Sequence, residues 1–172
     1  MPQERRVYIM CEEIDDLNQQ RICQEIEVLS RESDLPIILC IDSSGGKVIL
    51  EEKIIRTIKS AGAPVHGLVT GKAFSAAFDI LQACKLRFAY RSAQFMFHAP
   101  RISAETISAI TLFPADFDFV AEDAEEYVQF LQLLADRSDQ PLALLRQWGR
   151  EERIFTALEA KELGFIDAII AP

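Results

Sequence analysis

The chain has 172 residues, 49% of them hydrophobic and 26% charged, with only 7 Gly and 7 Pro. That is the size and balance of one globular domain spanning residues 1–172, and it excludes a disordered or fibrous chain. Lys plus Arg number 18 against 27 Asp plus Glu, a net charge of −9; such a surface repels phosphate backbones, so neither nucleic-acid binding nor docking on anionic lipid is expected.

No apolar run reaches the roughly 18 residues that a membrane span needs. Asp42 ends the run that starts at Ile37, and Asp79 and Gln82 break the stretch after Ala73. The opening Met1-Pro2-Gln3-Glu4-Arg5-Arg6, followed by Val7 to Met10 and then Glu12-Glu13, is too short and too acidic for a signal-peptide core, so a cytoplasmic address is expected. Cys11, Cys23, Cys40 and Cys84 form no Cys-x-x-Cys pair, and His66 and His98 are the only histidines. Ordinary thiols and no metal or other cofactor are therefore expected.

In chain order, Val7 to Met10 is a short β-rich run. Asp15 and Asp16 then cap an amphipathic helix carrying Leu17, Ile22, Ile26 and Leu29. Ile37 to Ile41 is apolar without alternation, the pattern of a strand covered on both faces in a parallel sheet. Asp42-Ser43-Ser44-Gly45-Gly46 ends that strand, and a helix is expected from Lys47 to Ala61, closed by Gly62. A third unit repeats the logic with a strand over Pro64 to Thr70, a turn at Gly71 and a buried helix from Ala73 to Cys84. Strands over Leu86 to Tyr90 and Gln94 to Phe97 follow. The alternation predicts an α/β fold with helices packed on a largely parallel sheet.

Residues 101–115 show no clear period, after which a long helix is expected from Asp116 to Arg137, with Val120, Tyr127, Leu131 and Leu134 on its apolar face. Pro141 suits the first turn of a second helix reaching Trp148 and closed by Gly149. Thr156-Ala157-Leu158-Glu159 has the form of a capping box, opening a short helix that Gly164 ends before the final apolar run from Phe165 to Ile170.

Three features fall where the strand ends of a parallel sheet gather, the usual place for a site in such folds. Gly45-Gly46 lies between a buried strand and a helix, where glycine frees backbone N–H groups to receive an oxyanion; a plain tight turn would look the same. Ser75 follows the Gly71 turn at a helix start, where amide N–H groups and the helix dipole favour a developing anion; a capping serine would also sit there. His98 ends a strand and would supply the proton acceptor a serine nucleophile needs, with His66 as the alternative.

Together these residues resemble the Clp-type serine peptidases, relatives of the crotonase superfold, from Arg6-Val7 to about Ile170. The family's Asn-Ser-Pro-Gly-Gly segment is similar to Asp42 through Gly46, its Gly-x-Ala-Ala-Ser-Met-Gly segment to Gly71 through Ala77, and its His-Gln-Pro to His98-Ala99-Pro100. Its Asp-Arg-x-x-Ser-Ala-x-Glu-Ala segment is similar to Glu152 through Ala160, with Gly164 and Asp167 following. The resemblance implies the Clp/crotonase-like fold of repeated strand-strand-helix units with a long handle helix. It implies Ser75 as nucleophile, His98 as general base, the amides of Gly46 and Ala76 as oxyanion hole, and Glu152 as the acid that orients the histidine.

Glutamate stands at 152 where the family has aspartate, with Glu151 as the neighbouring alternative; both also read as part of a solvated charge run, Arg150 to Arg153. Ala76-Ala77 replaces the family's Met-Gly, and Arg101 through Thr106 replaces a glycine-rich segment that lies beside bound peptide in the family. The family further implies self-association into stacked rings that enclose peptide substrates, and a ring ATPase of the AAA+ class as partner. Only Met1 to Arg6 precede Val7, where the family has a longer segment that serves that ATPase. Two other readings stay open at this point, a catalytically silent Clp-like subunit and a crotonase-type acyl-CoA enzyme that would not need Ser75 and His98 together.

Overall fold

The structure is a computed structural model that describes residues 5–102, 119–120 and 125–171. These group into two compact units, the first holding the chain up to Phe97 and again from Arg153, the second running from His98 to Glu152.

The first unit is built on a parallel sheet. β1 (Arg6–Cys11) pairs with β2 (Ile37–Ser43), and β2 with β3 (Val65–Phe74), all parallel. β4 (Arg87–Tyr90) lies against the first half of β3, and β9 (Ala168–Ile170) adds outside it. The unalternating run of β2 is explained by this position, because Leu39, Cys40 and Ile41 are all buried between neighbours on both edges and layers on both faces. Helices α1 (Asp16–Glu32) and α2 (Val48–Ser60) return the chain between these strands. Asp15 caps α1 by accepting the Asn18 N–H at 2.7 Å, as expected. Arg5 anchors the end of the same helix through hydrogen bonds to Ser33 and the Leu29 carbonyl. Gly62 does not close α2. Ala61 ends it in extended geometry, so the helix stops by chain direction rather than by a left-handed cap.

The third strand–helix repeat of this unit departs most from the sequence expectation. Gly71 is not a turn, since β3 runs through it to Phe74, and the next helix, α3 (Ala76–Ala83), starts later than expected. The register explains how: Ile41 pairs with Val69 but Ser43 with Ala73, so β3 carries extra residues in a bulge. The Asp42 carboxylate fills this bulge by accepting the Lys72 N–H at 2.9 Å, and it occupies the space a side chain at position 71 would need. Past the bulge β3 exchanges its β4 partner for β5 (Gln94–Met96), which pairs in turn with β8 (Phe155–Thr156) in antiparallel register, Gln94 opposite Thr156 and Phe95 opposite Phe155.

Phe78 of α3 packs among Phe95, Phe97 and Phe165, with ring centroids 5.5 to 6.3 Å apart, and Phe155 stacks on Phe97 at 5.9 Å. All five rings are fully buried, and aromatic contacts of this kind contribute about 0.5–1.5 kcal/mol each beyond their burial. They hold the start of α3 against β5 and β8. The expected capping box is present at Thr156, opening α6 (Ala157–Glu162), and Gly164 follows it with φ 72. Arg87, 8% exposed, joins β4 to the C-terminal strand through Asp167, at 2.6 and 3.1 Å.

In the second unit β6 (Arg101–Ile102) pairs antiparallel with β7 (Phe119–Val120). The long helix is seen as α4 (Glu125–Ser138). Its expected start at Asp116 lies outside the described residues, and Val120 belongs to a strand instead. α5 (Leu142–Arg150) follows, with Pro141 as N-cap rather than in the first turn and Gly149 inside the helix. Tyr127, Leu131, Leu134 and Leu145 are buried, and α4 packs on α5.

Candidate active site

Ser75 is the residue at which β3 becomes α3, and it takes φ 52 and ψ −128, a conformation that non-glycine residues rarely adopt. Such a residue costs roughly 1–3 kcal/mol and persists only where its surroundings hold it. Here its N–H donates to the Met96 carbonyl of β5 at 2.8 Å, and its carbonyl accepts from Phe78 at 2.8 Å and Asp79 at 3.2 Å. The hydroxyl makes no capping bond to α3. The capping explanation for a serine at this position therefore fails. What remains is a strained strand-to-helix elbow whose hydroxyl stands beside the N–H groups of a helix start, the arrangement that exposes a nucleophile.

Gly45 packs directly on this elbow. It adopts φ 103, and a Cβ there would lie 2.7 Å from the Phe74 carbonyl, 2.9 Å from the Ala76 nitrogen and 3.0 Å from Ser75 Cβ. Glycine is required both for the backbone conformation and for the close approach. The Ser43 hydroxyl accepts the Gly45 N–H at 3.2 Å, the Gly45 carbonyl accepts the Ile14 N–H at 2.7 Å, and Gly46 forms an isolated parallel bridge to Ile14. The neighbouring Ser44 is tied to Glu12, which also accepts from Lys72 Nζ at 2.9 and 3.0 Å. The segment carrying Gly46 and the segment carrying Ala76 are thus brought together. As the first residue of α3, Ala76 has an N–H with no acceptor inside its helix, so it remains available to an oxyanion.

His98 and Glu152 are the end residues of the second unit. His98 Nδ1 lies 2.7 Å from the Ala99 carbonyl. A carbonyl only accepts, so the proton of the neutral ring is assigned to Nδ1 and the lone pair to Nε2, the form a general base needs. Glu152 has φ 48 in the turn after α5, its N–H donating to the Gly149 carbonyl at 3.4 Å. It is partly buried, whereas Glu151 is exposed and accepts from Gln147 at 2.8 Å. Arg153 pairs with Glu159 at 3.0 Å and lies over the Phe155 ring, so the run from 150 to 153 is not a uniformly solvated face.

His66 is excluded as the base for Ser75. It sits near the start of β3, its ring against Phe88, and strand geometry puts it about 25 Å from the far end of β3 where Ser75 follows. Burial, and then the nearby Lys85 charge, hold its pKa below the usual histidine value.

The sequence reading passed over one acidic pair, Glu51 of α2 and Asp79 of α3. Their side chains share a hydrogen bond, and burial pushes Glu51 up to about 7 and Asp79 well above the ordinary aspartate range. The signal was Asp79 itself, an acid inside an otherwise apolar helix. Among the described residues no group of three or more His, Cys, Asp or Glu side chains is placed to hold a metal ion, and no helix is long and apolar enough to cross a membrane.

A mostly parallel sheet with returning helices and a strained serine elbow at its strand ends defines the chain as an α/β protein of the serine-hydrolase kind. The family model for Clp protease matches residues 1–172, and the chain belongs to the Clp protease family. It is 29% identical over 170 residues to the ATP-dependent Clp protease proteolytic subunit 1 of Streptomyces avermitilis, covering 96% of this chain and 76% of that protein. It is 28% identical over 172 residues to the subunit of the same name from Mycobacterium tuberculosis, covering 96% and 82%. Among solved structures a ClpP1 point mutant from Listeria monocytogenes superposes with a TM-score of 0.75 at 24% identity, covering 98% of this chain and 92% of that one, which supports the fold.

Proposed function

We infer that this chain, one Clp protease domain over residues 1–172, hydrolyses peptide bonds at Ser75. As a member of the Clp protease family it is a serine-type endopeptidase. The observation that carries the residue assignment is the elbow: Ser75 is held at φ 52, does not cap its helix, and has Gly45 against it. In the reaction His98 Nε2 takes the proton of Ser75 Oγ as Oγ bonds to the peptide carbonyl carbon, and the carbonyl oxygen becomes an oxyanion received by the Gly46 and Ala76 N–H groups. The imidazolium then gives its proton to the leaving amine, and water attacks the acyl-enzyme with the same base.

Glu152 is the acid that steadies the imidazolium. Support comes from the β5 and β8 register: Gln94 lies opposite Thr156 and Phe95 opposite Phe155, so the segments that lead on to His98 and back to Glu152 leave the sheet as neighbours. No cofactor takes part.

The protein works as a ring assembly enclosing its sites, in the cytoplasm, with peptides as substrates and an ATP-driven ring unfoldase as partner. The curated relatives are named as proteolytic subunits of an ATP-dependent protease, which supports this reading.

The test is labelling with a fluorophosphonate, followed by hydrolysis of a small fluorogenic peptide. Labelling at Ser75 that Ser75→Ala abolishes, together with turnover, is expected, and His98→Ala should be nearly as damaging. Unchanged hydrolysis by pure Ser75→Ala protein would end the assignment. Light scattering should give a mass well above 19.4 kDa, and a stable monomer at micromolar concentration would remove the ring.

A further inference from the structure

Helices α2 and α3 begin side by side, and the two proposed oxyanion donors stand at their entrances, Gly46 just before α2 and Ala76 as the first residue of α3. At the entrance the contact is backbone on backbone, through Gly45 against Ser75 and Ala76. One turn further in, each helix carries an acid at the matching position. Glu51 N–H donates to the Lys47 carbonyl at 3.2 Å, and Asp79 N–H donates to the Ser75 carbonyl at 3.2 Å. Each acid is thereby tied by its own backbone to the residue that opens its helix.

The two side chains then meet. Glu51 is 9% exposed and Asp79 is partly buried, and a hydrogen bond joins the carboxyl groups, which requires a shared proton. Two bare carboxylates at this separation would repel, and Glu52 beside them adds to that repulsion.

A carboxyl pair in a packed helix interface is costly unless it is satisfied, so an apolar pair would serve better if only cohesion were needed. We propose that Glu51 and Asp79 are positioning residues, a proton-sharing clamp between the first turns of α2 and α3 that sets the separation of the Gly46 and Ala76 N–H groups. The proposal rests on the assignment of those amides to the oxyanion hole of Ser75. The clamp touches no substrate. It acts on the transition state, where the oxygen has moved into the hole, and leaves substrate binding alone.

The test compares Glu51→Ala and Asp79→Ala with Glu51→Gln and Asp79→Asn. An amide can donate to the remaining carboxyl, so the second set keeps the bridge without the shared proton. Steady-state hydrolysis of a fluorogenic peptide should show kcat lowered about tenfold in the alanine variants with KM unchanged, less than the hundredfold or more lost with a whole oxyanion donor. The amide variants should keep kcat within about threefold of the parent.

Hydrogen exchange read on the same proteins should show faster exchange in the alanine variants, confined to the first turns of α2 and α3, and near-parental exchange in the amide variants. Parental kcat in folded alanine variants would overturn the proposal while leaving the Ser75 assignment intact. So would amide variants as slow as the alanine ones. If the alanine variants do not fold, the amide variants decide: parental kcat and exchange support the clamp, and a loss in either overturns it. A parent that neither turns over peptide nor takes the fluorophosphonate overturns the Ser75 assignment and the catalytic role of the clamp with it, and unchanged exchange in the alanine variants overturns the clamp whatever the parent's activity.

Discussion

Gly45→Ala tests whether the serine elbow is held by its neighbours as described. The substitution places a methyl 2.7 Å from the Phe74 carbonyl oxygen and 2.9 Å from the Ala76 nitrogen, both backbone atoms on either side of Ser75. Neither can turn away as a side-chain end would. The backbone at position 45 also stays at φ 103, which costs a residue with a Cβ roughly 1–3 kcal/mol. Overpacking a close contact of this kind adds about 1–3 kcal/mol. The expected loss is therefore about 2–6 kcal/mol, a large part of the total of about 5–15 kcal/mol that domains possess. For a chain of this size each kcal/mol moves the midpoint about 2–4 °C, so thermal unfolding should shift down by roughly 4–24 °C.

The structure has one other way to answer, which is to move Ser75. In that case stability falls less and fluorophosphonate labelling falls more, by about a hundredfold for a displacement near 1 Å. Gly62→Ala is the control, because a Cβ there meets only Ser30 Oγ at 3.5 Å and the backbone φ is not positive. It should be neutral or stabilising by up to about 1 kcal/mol. A Gly45→Ala protein with the parental midpoint and the parental labelling rate would refute the reasoning.

Glu51 supplies a pH prediction of definite sign. Its pKa is raised from 4.5 in the unfolded chain to about 7 in the fold, so the folded protein holds the extra proton and stability falls as pH rises from about 4.5 to about 7, levelling above. Urea midpoints of the parent should lose up to about 3 kcal/mol across that window relative to Glu51→Gln, and parallel curves would contradict it. Asp167→Ala leaves the Arg87 guanidinium buried without its carboxylate, although Gln82 and the Gly164 carbonyl still accept from it at 3.1 Å. A loss of about 3–5 kcal/mol in chemical denaturation is expected, and one under 1 kcal/mol would show that those acceptors suffice. Glu152→Gln should lower kcat about 10- to 100-fold with the fold and the fluorophosphonate site intact, and parental turnover would remove Glu152 from the site.

The parts of the fold legible in the sequence are those set by local composition. Ile37 to Ile41 announced a doubly covered parallel strand, Asp15 a helix cap, and Thr156 with Glu159 a capping box, each decided within a few residues. Gly71 misled because its role is set by Asp42, whose carboxylate reaches into β3 from the neighbouring strand and turns an apparent breaker into a bulge. The pairing of Phe155–Thr156 with β5 was equally hidden, since two residues carry no period. The face of Tyr127, Leu131 and Leu134 had the right period and is buried in the folded chain, because periodicity marks what is buried. At the site, Gly45-Gly46, Ser75 and His98 stood out as residue types at strand ends. The strain at Ser75 and the meeting of Glu51 with Asp79 did not, because both depend on which helices lie side by side.

On the proposed assignment, the tautomer of His98 sets what a glutamate at 152 has to do. A triad acid does two things, holding the imidazole proton on Nδ1 and offsetting the charge of the imidazolium. In this chain the first task is met by the Ala99 carbonyl, 2.7 Å from Nδ1 and fixed by the backbone that follows the histidine. Orientation therefore does not rest on the carboxylate alone, and the longer arm of glutamate, on a residue with φ 48 rather than an extended one, has only to bring negative charge near the ring. That division sets the magnitude expected for Glu152→Gln. It falls well below the roughly 10⁴-fold seen where a single acid performs both tasks. It stays above unity because a neutral backbone carbonyl offsets only part of the charge that develops when Ser75 gives up its proton.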